Sequence, residues 1–122
     1  MAKKILVVDD EPDLLDLATV RLKKIGYEII AAVDAEEAAA WLQNDIPDLI
    51  LLDLLLPKMQ GDEFCKKLKS DDRYKHIPII LFTASIVRPS LPEKIKEMGA
   101  DDCIMKPFEP QELIGKVKKF IG

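Results

Sequence analysis

The sequence lacks any long hydrophobic run. Its apolar stretches, such as residues 5–8 and 49–52, are about four to six residues long, whereas a membrane span needs roughly 18. The charged N-terminus runs directly into one of these stretches and leaves no room for the apolar core of a signal peptide. We therefore expect a cytoplasmic protein without membrane insertion.

Cysteine and histidine are also scarce, with two cysteines and one histidine in the chain. Cys65 and Cys103 are far apart, and His76 is the only other soft ligand, so the sequence offers little support for a zinc site. A disulfide is not expected in the cytoplasm. We predict core or half-buried positions for both cysteines and a surface loop position for His76.

Positive charge is in deficit, with 18 Lys and Arg against 22 Asp and Glu and a net charge of −4. That is the wrong sign for non-specific nucleic-acid binding, and we expect no direct contact with nucleic acid. Glycine is missing after the first apolar run, where Asp9, Asp10 and Glu11 stand instead of a phosphate-cradling loop. Binding of a flavin or dinucleotide is therefore disfavoured.

The sequence does contain enough apolar residues, 48% of 122, for one globular domain with a real core. Five apolar runs of strand length recur without polar alternation, which is typical of strands covered on both faces in a parallel sheet. These predicted strands are Ile5 to Val8, Ile29 to Val33, Leu49 to Leu52, Ile79 to Phe82 and Cys103 to Met105.

Helix-length amphipathic segments separate the runs. The first follows Pro12, ends at Gly26 and places five residues on one face: Leu14, Leu15, Ala18, Leu22 and Ile25. The second is capped by Asp34, the third runs from about Asp62 to Leu68, and the fourth from near Pro92 to Gly99. The last starts at Pro110 with a predicted buried stripe of Leu113, Ile114, Val117, Phe120 and Ile121.

Strands that alternate with helices over the whole length predict an α/β domain built from right-handed βαβ units. The chain closes almost where the last helix closes. We therefore expect residues 1–122 to form one domain without an output domain, whose output depends on contact with another molecule.

Polar side chains cluster where the predicted strands end. Asp9 and Asp10 follow the first strand, Asp53 the third, Thr83 and Ala84 the fourth, and Lys106 the fifth. In open α/β sheets the ligand site lies beyond the carboxyl ends of the strands, at the point where the strand order reverses. If the order is 2-1-3-4-5, the three carboxylates converge there.

Three converging carboxylates would repel one another unless a cation joined them. Hard oxygen ligands without histidine or cysteine suit Mg²⁺, which also accepts water and phosphate oxygens. With the charge offset by the metal and by Lys106, an oxygen of Asp53 can attack phosphorus and form an acyl phosphate. Thr83 and the backbone N–H of Ala84 could then bind the phosphoryl oxygens.

Several sequence segments together resemble the receiver domain of two-component response regulators over essentially the full chain. The segments are Ile5 to Pro12, Asp48 to Pro57, Leu81 to Ala84, Gly99 to Asp102, and Lys106 to Phe108. The resemblance implies a flavodoxin-like, doubly wound fold with five parallel strands in the order 2-1-3-4-5 and five helices.

The resemblance also implies a phosphorylation-dependent switch. Asp53 would accept a phosphoryl group from a sensor histidine kinase or a histidine phosphotransfer protein, in a Mg²⁺-dependent reaction. Asp10, Asp53 and the backbone carbonyl of Leu55 would bind the metal, with Asp9 acting directly or through water. Thr83 would move toward the acyl phosphate and Lys106 would pair with it. The surface around the fourth and fifth predicted helices would then change toward an unknown downstream protein.

Two features depart from the family pattern. Many receivers carry Tyr or Phe three positions before the lysine, where this sequence has Cys103, so activation would depend on the loop and the fourth predicted helix. The segment from Pro89 to Pro92 should stiffen the approach to that helix.

Two other functional classes remain open at this stage. One is a pseudo-receiver that binds partners without phosphorylation, which the missing aromatic residue keeps in consideration. The other is a Mg²⁺-dependent aspartyl phosphohydrolase. It is disfavoured because such enzymes usually need a second acid two residues after the nucleophile, and Asp53 is followed by Leu54 and Leu55.

Overall fold

A computed structural model of the chain describes residues 3–53, 61–83, 99–105 and 108–122, apart from the side chains of residues 61, 62 and 83. The described strands are β1 (Lys4–Val8), β2 (Glu28–Ala32), β3 (Leu49–Asp53), β4 (Ile79–Thr83) and β5 (Asp102–Met105). The described helices are α1 (Pro12–Lys24), α2 (Ala35–Leu42), α3 (Gly61–Lys69) and α4 (Pro110–Ile121). Helix α4 is the fifth helix of the sequence prediction. The fourth predicted helix, from near Pro92 to Gly99, lies outside the described residues except for Gly99.

The five strands form one parallel sheet in the order β2-β1-β3-β4-β5. The predicted doubly wound α/β fold is confirmed. Strand β1 lies between β2 and β3, so the chain leaves the middle of the sheet in one direction and then returns to extend it in the other. The reversal of strand order falls between β1 and β3, whose register pairs Val8 with Leu52.

Successive side chains of a strand point to opposite faces, so each apolar run supplies two core layers. On one face Leu6 and Val8 pack with residues of α2 and α3. On the other face Ile5 and Val7 pack with residues of α1 and α4. The central strands are fully covered, which explains why their sequences are apolar at every position.

The edge strand β2 and the ends of helices depart from the predicted burial. Strand β2 stops at Ala32, and Val33, predicted within it, is 46% exposed. Ile25 was predicted on the buried face of α1 but is 42% exposed. It follows the last helical residue with φ −98° and ψ 7°, so it no longer has the helical period. Gly26 then turns the chain at φ 107°.

Other local predictions are confirmed. The Asp34 carboxylate caps α2 by accepting a hydrogen bond from the Glu37 N–H at 2.8 Å. Cys65 is buried, Cys103 is half-buried, and both are free thiols. His76 is exposed. On α4, Leu113 and Val117 are buried and the rest of the predicted stripe is half-buried. Among the described helices, none combines the length and the apolar character that crossing a bilayer requires.

Candidate functional site

Three carboxyl groups meet at the carboxyl end of the sheet. Asp9 and Asp10 directly follow β1, and Asp53 is the last residue of the neighbouring strand β3. One carboxylate oxygen from each of the three lies within 4.8 Å of the other two. The predicted convergence is confirmed, because parallel strands that are neighbours in the sheet end at the same edge.

The three groups differ in exposure. Asp9 is completely buried and Asp53 is 5% exposed, and they are the buried charged residues in the part of the chain that the structure describes. Asp10 is exposed. A buried carboxylate needs compensation by hydrogen bonds or opposite charge. The Glu11 N–H supplies one hydrogen bond, donated to Asp9 Oδ1 at 2.9 Å.

This hydrogen bond is a feature that the sequence analysis missed. An aspartate side chain that accepts from the backbone N–H two residues later forms an Asx turn. The Asp9 N–H in turn donates to the Ala32 carbonyl at 3.0 Å, which extends the pairing of β1 with β2 by one residue. Asp9 is therefore held by the turn that follows it and by β2. The sequence signal for the hydrogen bond was an aspartate two residues before Glu11, directly after a strand.

The donor set fits a hard divalent cation. The three groups contribute carboxylate oxygens, and no histidine or cysteine belongs to the cluster. Oxygen ligands of this kind suit Mg²⁺ better than transition metals. Because Asp10 is exposed, one side of the cluster is open to water and to phosphate oxygens.

The fourth strand also ends at this edge. Thr83 is the last residue of β4 and pairs with Met105, whereas Asp53 pairs with Phe82. The backbone of Thr83 therefore lies one residue beyond the level of Asp53. The remaining predicted site residues, which are Leu55, Ala84 and Lys106, lie outside the described residues, as does the side chain of Thr83.

An aromatic stack joins β4 to Phe108, which lies shortly before α4. Phe82 is fully buried, and its ring stacks on Phe108 with centroids 5.4 Å apart and planes inclined by 15°. Phe108 follows Lys106 by two residues. The stack therefore fixes Phe108, shortly before α4, against the core layer that contains Phe82. The sequence analysis placed Phe108 in a motif but assigned no contact to it.

Cys103 lies on the edge strand β5, paired with Leu81. It is half-buried against the core layer on the α2 and α3 face. Burial raises the pKa of the Cys103 thiol, and the nearby carboxylate of Asp102 raises it further. The side chain is thus a neutral, small, apolar group at the position three residues before Lys106.

Known proteins resemble the chain in sequence and in structure. A family model described as the response regulator receiver domain matches residues 5–118. The chain is 42% identical to the alkaline phosphatase synthesis transcriptional regulatory protein PhoP of Bacillus subtilis, covering 99% of this chain and 49% of that protein. It is 37% identical to the DNA-binding dual master transcriptional regulator RpaA of Synechocystis, covering 97% of this chain and 48% of that protein. The chain spans about half the length of these curated relatives.

Solved structures share the whole fold. The chemotaxis response regulator CheY4 of Vibrio cholerae superposes with a TM-score of 0.91 at 31% identity, over 98% of this chain and 99% of that chain. A putative response regulator from Chloroflexus aurantiacus gives a TM-score of 0.93 at 34% identity, over 99% and 98% of the two chains. Sequence, sheet order and structural likeness agree, and the chain belongs to the response regulator receiver domain family.

Proposed function

We propose that the chain is a phosphorylation-dependent signalling switch in which Asp53 is the phosphoryl acceptor. The observation that carries this proposal is the convergence of three carboxylates, two of them buried, at the carboxyl end of the sheet. Like charges in a buried position oppose folding. Their presence there is explained if the site binds a cation and a phosphoryl group. Membership of the receiver family supports this interpretation.

Asp9, Asp10, Asp53 and the backbone carbonyl of Leu55 are the proposed ligands of Mg²⁺. When bound, the metal would offset the negative charge of the carboxylates and of the incoming phosphoryl oxygens. The exposed carboxylate of Asp10 faces the open side of the cluster, where water can complete the coordination.

In the proposed transfer, a carboxylate oxygen of Asp53 attacks the phosphorus of a phosphohistidine. The new P–O bond forms as the P–N bond breaks, and the imidazole nitrogen keeps the electron pair of that bond. Asp53 suits this role because it is the last residue of β3 and its carboxylate lies inside the cluster. Thr83, Ala84 and Lys106 are the proposed contacts of the phosphoryl oxygens.

The proposed donors are a sensor histidine kinase or a histidine phosphotransfer protein in the cytoplasm. The downstream partner is an unidentified protein that recognises the surface around the predicted fourth helix and α4. With the neutral thiol of Cys103 three positions before Lys106, we propose that movement of the loop after β4 carries the change, without an aromatic side chain. We propose no direct contact of residues 1–122 with nucleic acid.

Intact-protein mass after incubation with acetyl phosphate tests the acceptor. We expect the wild type to gain the mass of one phosphoryl group with Mg²⁺ and to gain nothing when the metal is removed by a chelator. Asp53→Asn should gain nothing under either condition. Asp72→Asn is the matched control, because the Asp72 side chain is 93% exposed in the loop between α3 and β4. It should react like the wild type.

Three outcomes would redirect the assignment. If the folded wild type binds Mg²⁺ and gains no mass, the chain is a pseudo-receiver that binds its partners without phosphorylation. If the mass gain persists in Asp53→Asn, another residue is the acceptor. Continuous release of phosphate from phosphomonoesters, with many turnovers, would instead indicate a phosphohydrolase.

A further inference from the structure

The outward face of α1 carries two exposed apolar side chains at its centre. Leu17 is 38% exposed and Val20 is 62% exposed. They are three positions apart and therefore share one side of the helix. Together with Asp16, Arg21 and Lys24 they line a shallow surface groove. The opposite side of α1, through Leu15, Ala18 and Leu22, is fully used in the core.

Charge along this face changes sign at the apolar centre. Asp13 and Asp16 precede it, and Arg21 and Lys24 follow it. All four side chains are exposed, and none of them forms an ion pair with another residue in the described part of the chain. The acidic residue in the first turn and the basic residues in the last turn also complement the helix dipole.

The charged and apolar positions are arranged symmetrically. The midpoint between Leu17 and Val20 lies between residues 18 and 19, and the same midpoint relates Asp13 to Lys24 and Asp16 to Arg21. If a second α1 packs antiparallel across a two-fold axis at this midpoint, Leu17 of one copy faces Val20 of the other. Asp13 of each copy then faces Lys24 of its partner copy, because an isologous contact repeats every pairing twice.

From this pattern we infer that two copies of the chain associate through their α1 helices. The occupant of the groove is the same groove of a second copy, with Leu17 and Val20 at the centre and two Asp13–Lys24 ion pairs at the ends. Antiparallel packing also places the N-terminal end of each helix dipole beside the C-terminal end of the other. A parallel arrangement would instead place like charges opposite one another.

The association is weak and reversible. One face of a 13-residue helix buries less surface than the roughly 1,200 Å² at the lower end of stable interfaces. Exposed ion pairs are screened by salt, so the dimer forms best at low ionic strength. None of the six side chains belongs to the acidic site, and the inference does not depend on phosphorylation of Asp53.

Sedimentation equilibrium of the metal-free, unphosphorylated chain, up to roughly 1 mM, tests the inference. We expect a monomer–dimer equilibrium whose dissociation constant rises severalfold when the salt is raised from about 0.05 to 0.5 M. Val20→Gln should shift the protein toward monomer, since it replaces the apolar centre with a polar residue that favours helices. Circular dichroism should show an unchanged fold, because Val20 is exposed.

A charge exchange distinguishes this pairing from a general charge effect. Asp13→Lys and Lys24→Asp should each weaken the dimer, because each places like charges opposite one another. The double variant should restore association, because it exchanges the two members of every pair. Thermal unfolding of each variant corrects for the small cost of a charge that opposes the helix dipole.

The corresponding changes on α4 are the matched control. Glu112 lies in its first turn and Lys118 in its last turn, so Glu112→Lys and Lys118→Asp alter charge and dipole in the same way. They should leave the α1 dimer unchanged. A monomer over the whole concentration range would overturn the inference. So would dimerisation that responds to the α4 variants alone, or a double α1 variant that stays monomeric.

Discussion

The two ends of the sheet differ in how their charged side chains are arranged. At the amino end, charged side chains of opposite sign meet in pairs that join distant segments: Lys4 with Asp45, Lys69 with Asp101, and Lys116 with Asp102. At the carboxyl end, the described charged groups that meet are three carboxylates, within 4.8 Å of one another.

The difference separates charges that stabilise the fold from the carboxylates of the proposed functional site. Pairing at the amino end satisfies each charge within the chain, so these groups need no external ligand. Carboxylates that meet at the carboxyl end repel one another, and this repulsion favours any cation that joins them. In the proposed function, the amino end of the sheet needs no external ligand, whereas a cation completes the carboxyl end.

The largest effect that separates the two ends should come from Mg²⁺. Because a ligand that binds only the folded state stabilises it, Mg²⁺ at about 100 times its dissociation constant should raise the free energy of unfolding by about 2.7 kcal/mol. Urea denaturation with and without the metal measures this. Asp53→Asn should lose most of the gain, and the control Asp72→Asn should keep it. An equal gain in all three proteins would place the metal elsewhere.

Removing a charge at the amino end should have the reverse effect and destabilise the chain. The Lys69 ammonium donates to Asp101 Oδ2 at 2.9 Å and to the Ile77 carbonyl at 2.8 Å, and Asp101 Oδ2 also accepts the Ile79 N–H at 2.8 Å. The Lys69 side chain is 17% exposed. We expect Asp101→Ala to cost about 2 kcal/mol, because it leaves a largely buried ammonium and a backbone N–H without this partner.

The exposed pair of Asp72 and Lys75 is the control for this variant. Its side chains are 93% and 58% exposed, so Asp72→Ala should change the free energy of unfolding by less than about 0.5 kcal/mol. Equal losses in Asp101→Ala and Asp72→Ala, measured by urea denaturation, would contradict a stabilising role for the Lys69–Asp101 pair.

Two buried tyrosines refine the comparison within the amino end. The Tyr74 hydroxyl donates to the Leu42 carbonyl at 3.0 Å, whereas the Tyr27 hydroxyl is buried without a partner among the described residues. Tyr74→Phe should therefore cost about 1 kcal/mol, and Tyr27→Phe should be neutral or slightly stabilising. Thermal unfolding compares them directly. A larger loss in Tyr27→Phe would show that its hydroxyl has a partner.

The buried Tyr27 also predicts a loss of stability at alkaline pH. Burial raises the pKa of Tyr27 above its usual value near 10. The folded state therefore holds the phenol proton more tightly than the unfolded chain. This contribution to stability is complete below about pH 10 and is lost as the pH rises through the raised pKa. Tyr27→Phe should reduce the loss of stability in that range, and the Tyr74→Phe variant provides the comparison.

The smallest expected effect concerns the half-buried pair of Lys4 and Asp45 at the start of β1. The hydrogen bond from Lys4 is the main cause that lowers the pKa of Asp45, and the Ile46 N–H lowers it further. The pair stabilises the fold above the ordinary pKa of aspartate, near 4, and this contribution is lost as the pH falls through the lowered value. Unfolding curves of Lys4→Met should therefore converge with those of the wild type in acid. High salt should shrink the difference at neutral pH. A difference that persisted in acid would contradict this origin.

Local features of the fold were predictable from the sequence. Five apolar runs identified the strands to within one residue at every end, and Asp34 identified the start of α2. These features depend on residues close together in the chain, through strand length, helix period and capping. The predicted burial of Ile25 was wrong for the same reason. Its spacing fits the helical period, but the helix ends one residue earlier, at Lys24.

The acidic part of the candidate site was also predictable, since Asp9, Asp10 and Asp53 each stand at the end of an apolar run. The pairs at the amino end were not. Lys69 and Asp101 lie in unrelated segments, and nothing in either segment specifies the other. The stack of Phe82 on Phe108 was missed because ring contacts between elements depend on how the helices and strands pack.

The sequence by itself determined the alternation of strands and helices, their apolar faces and the acidic residues at the strand ends, because these follow from local periodicity and side-chain chemistry. The convergence of Asp9, Asp10 and Asp53 was predicted only on the condition of one strand order, which the tertiary structure established. The tertiary structure alone decided that Lys69 and Asp101 meet at the opposite end. Both results depend on the sheet order, which places β1 beside β3 and β4 beside β5. That order arises from packing apolar faces between distant segments, which no local pattern specifies.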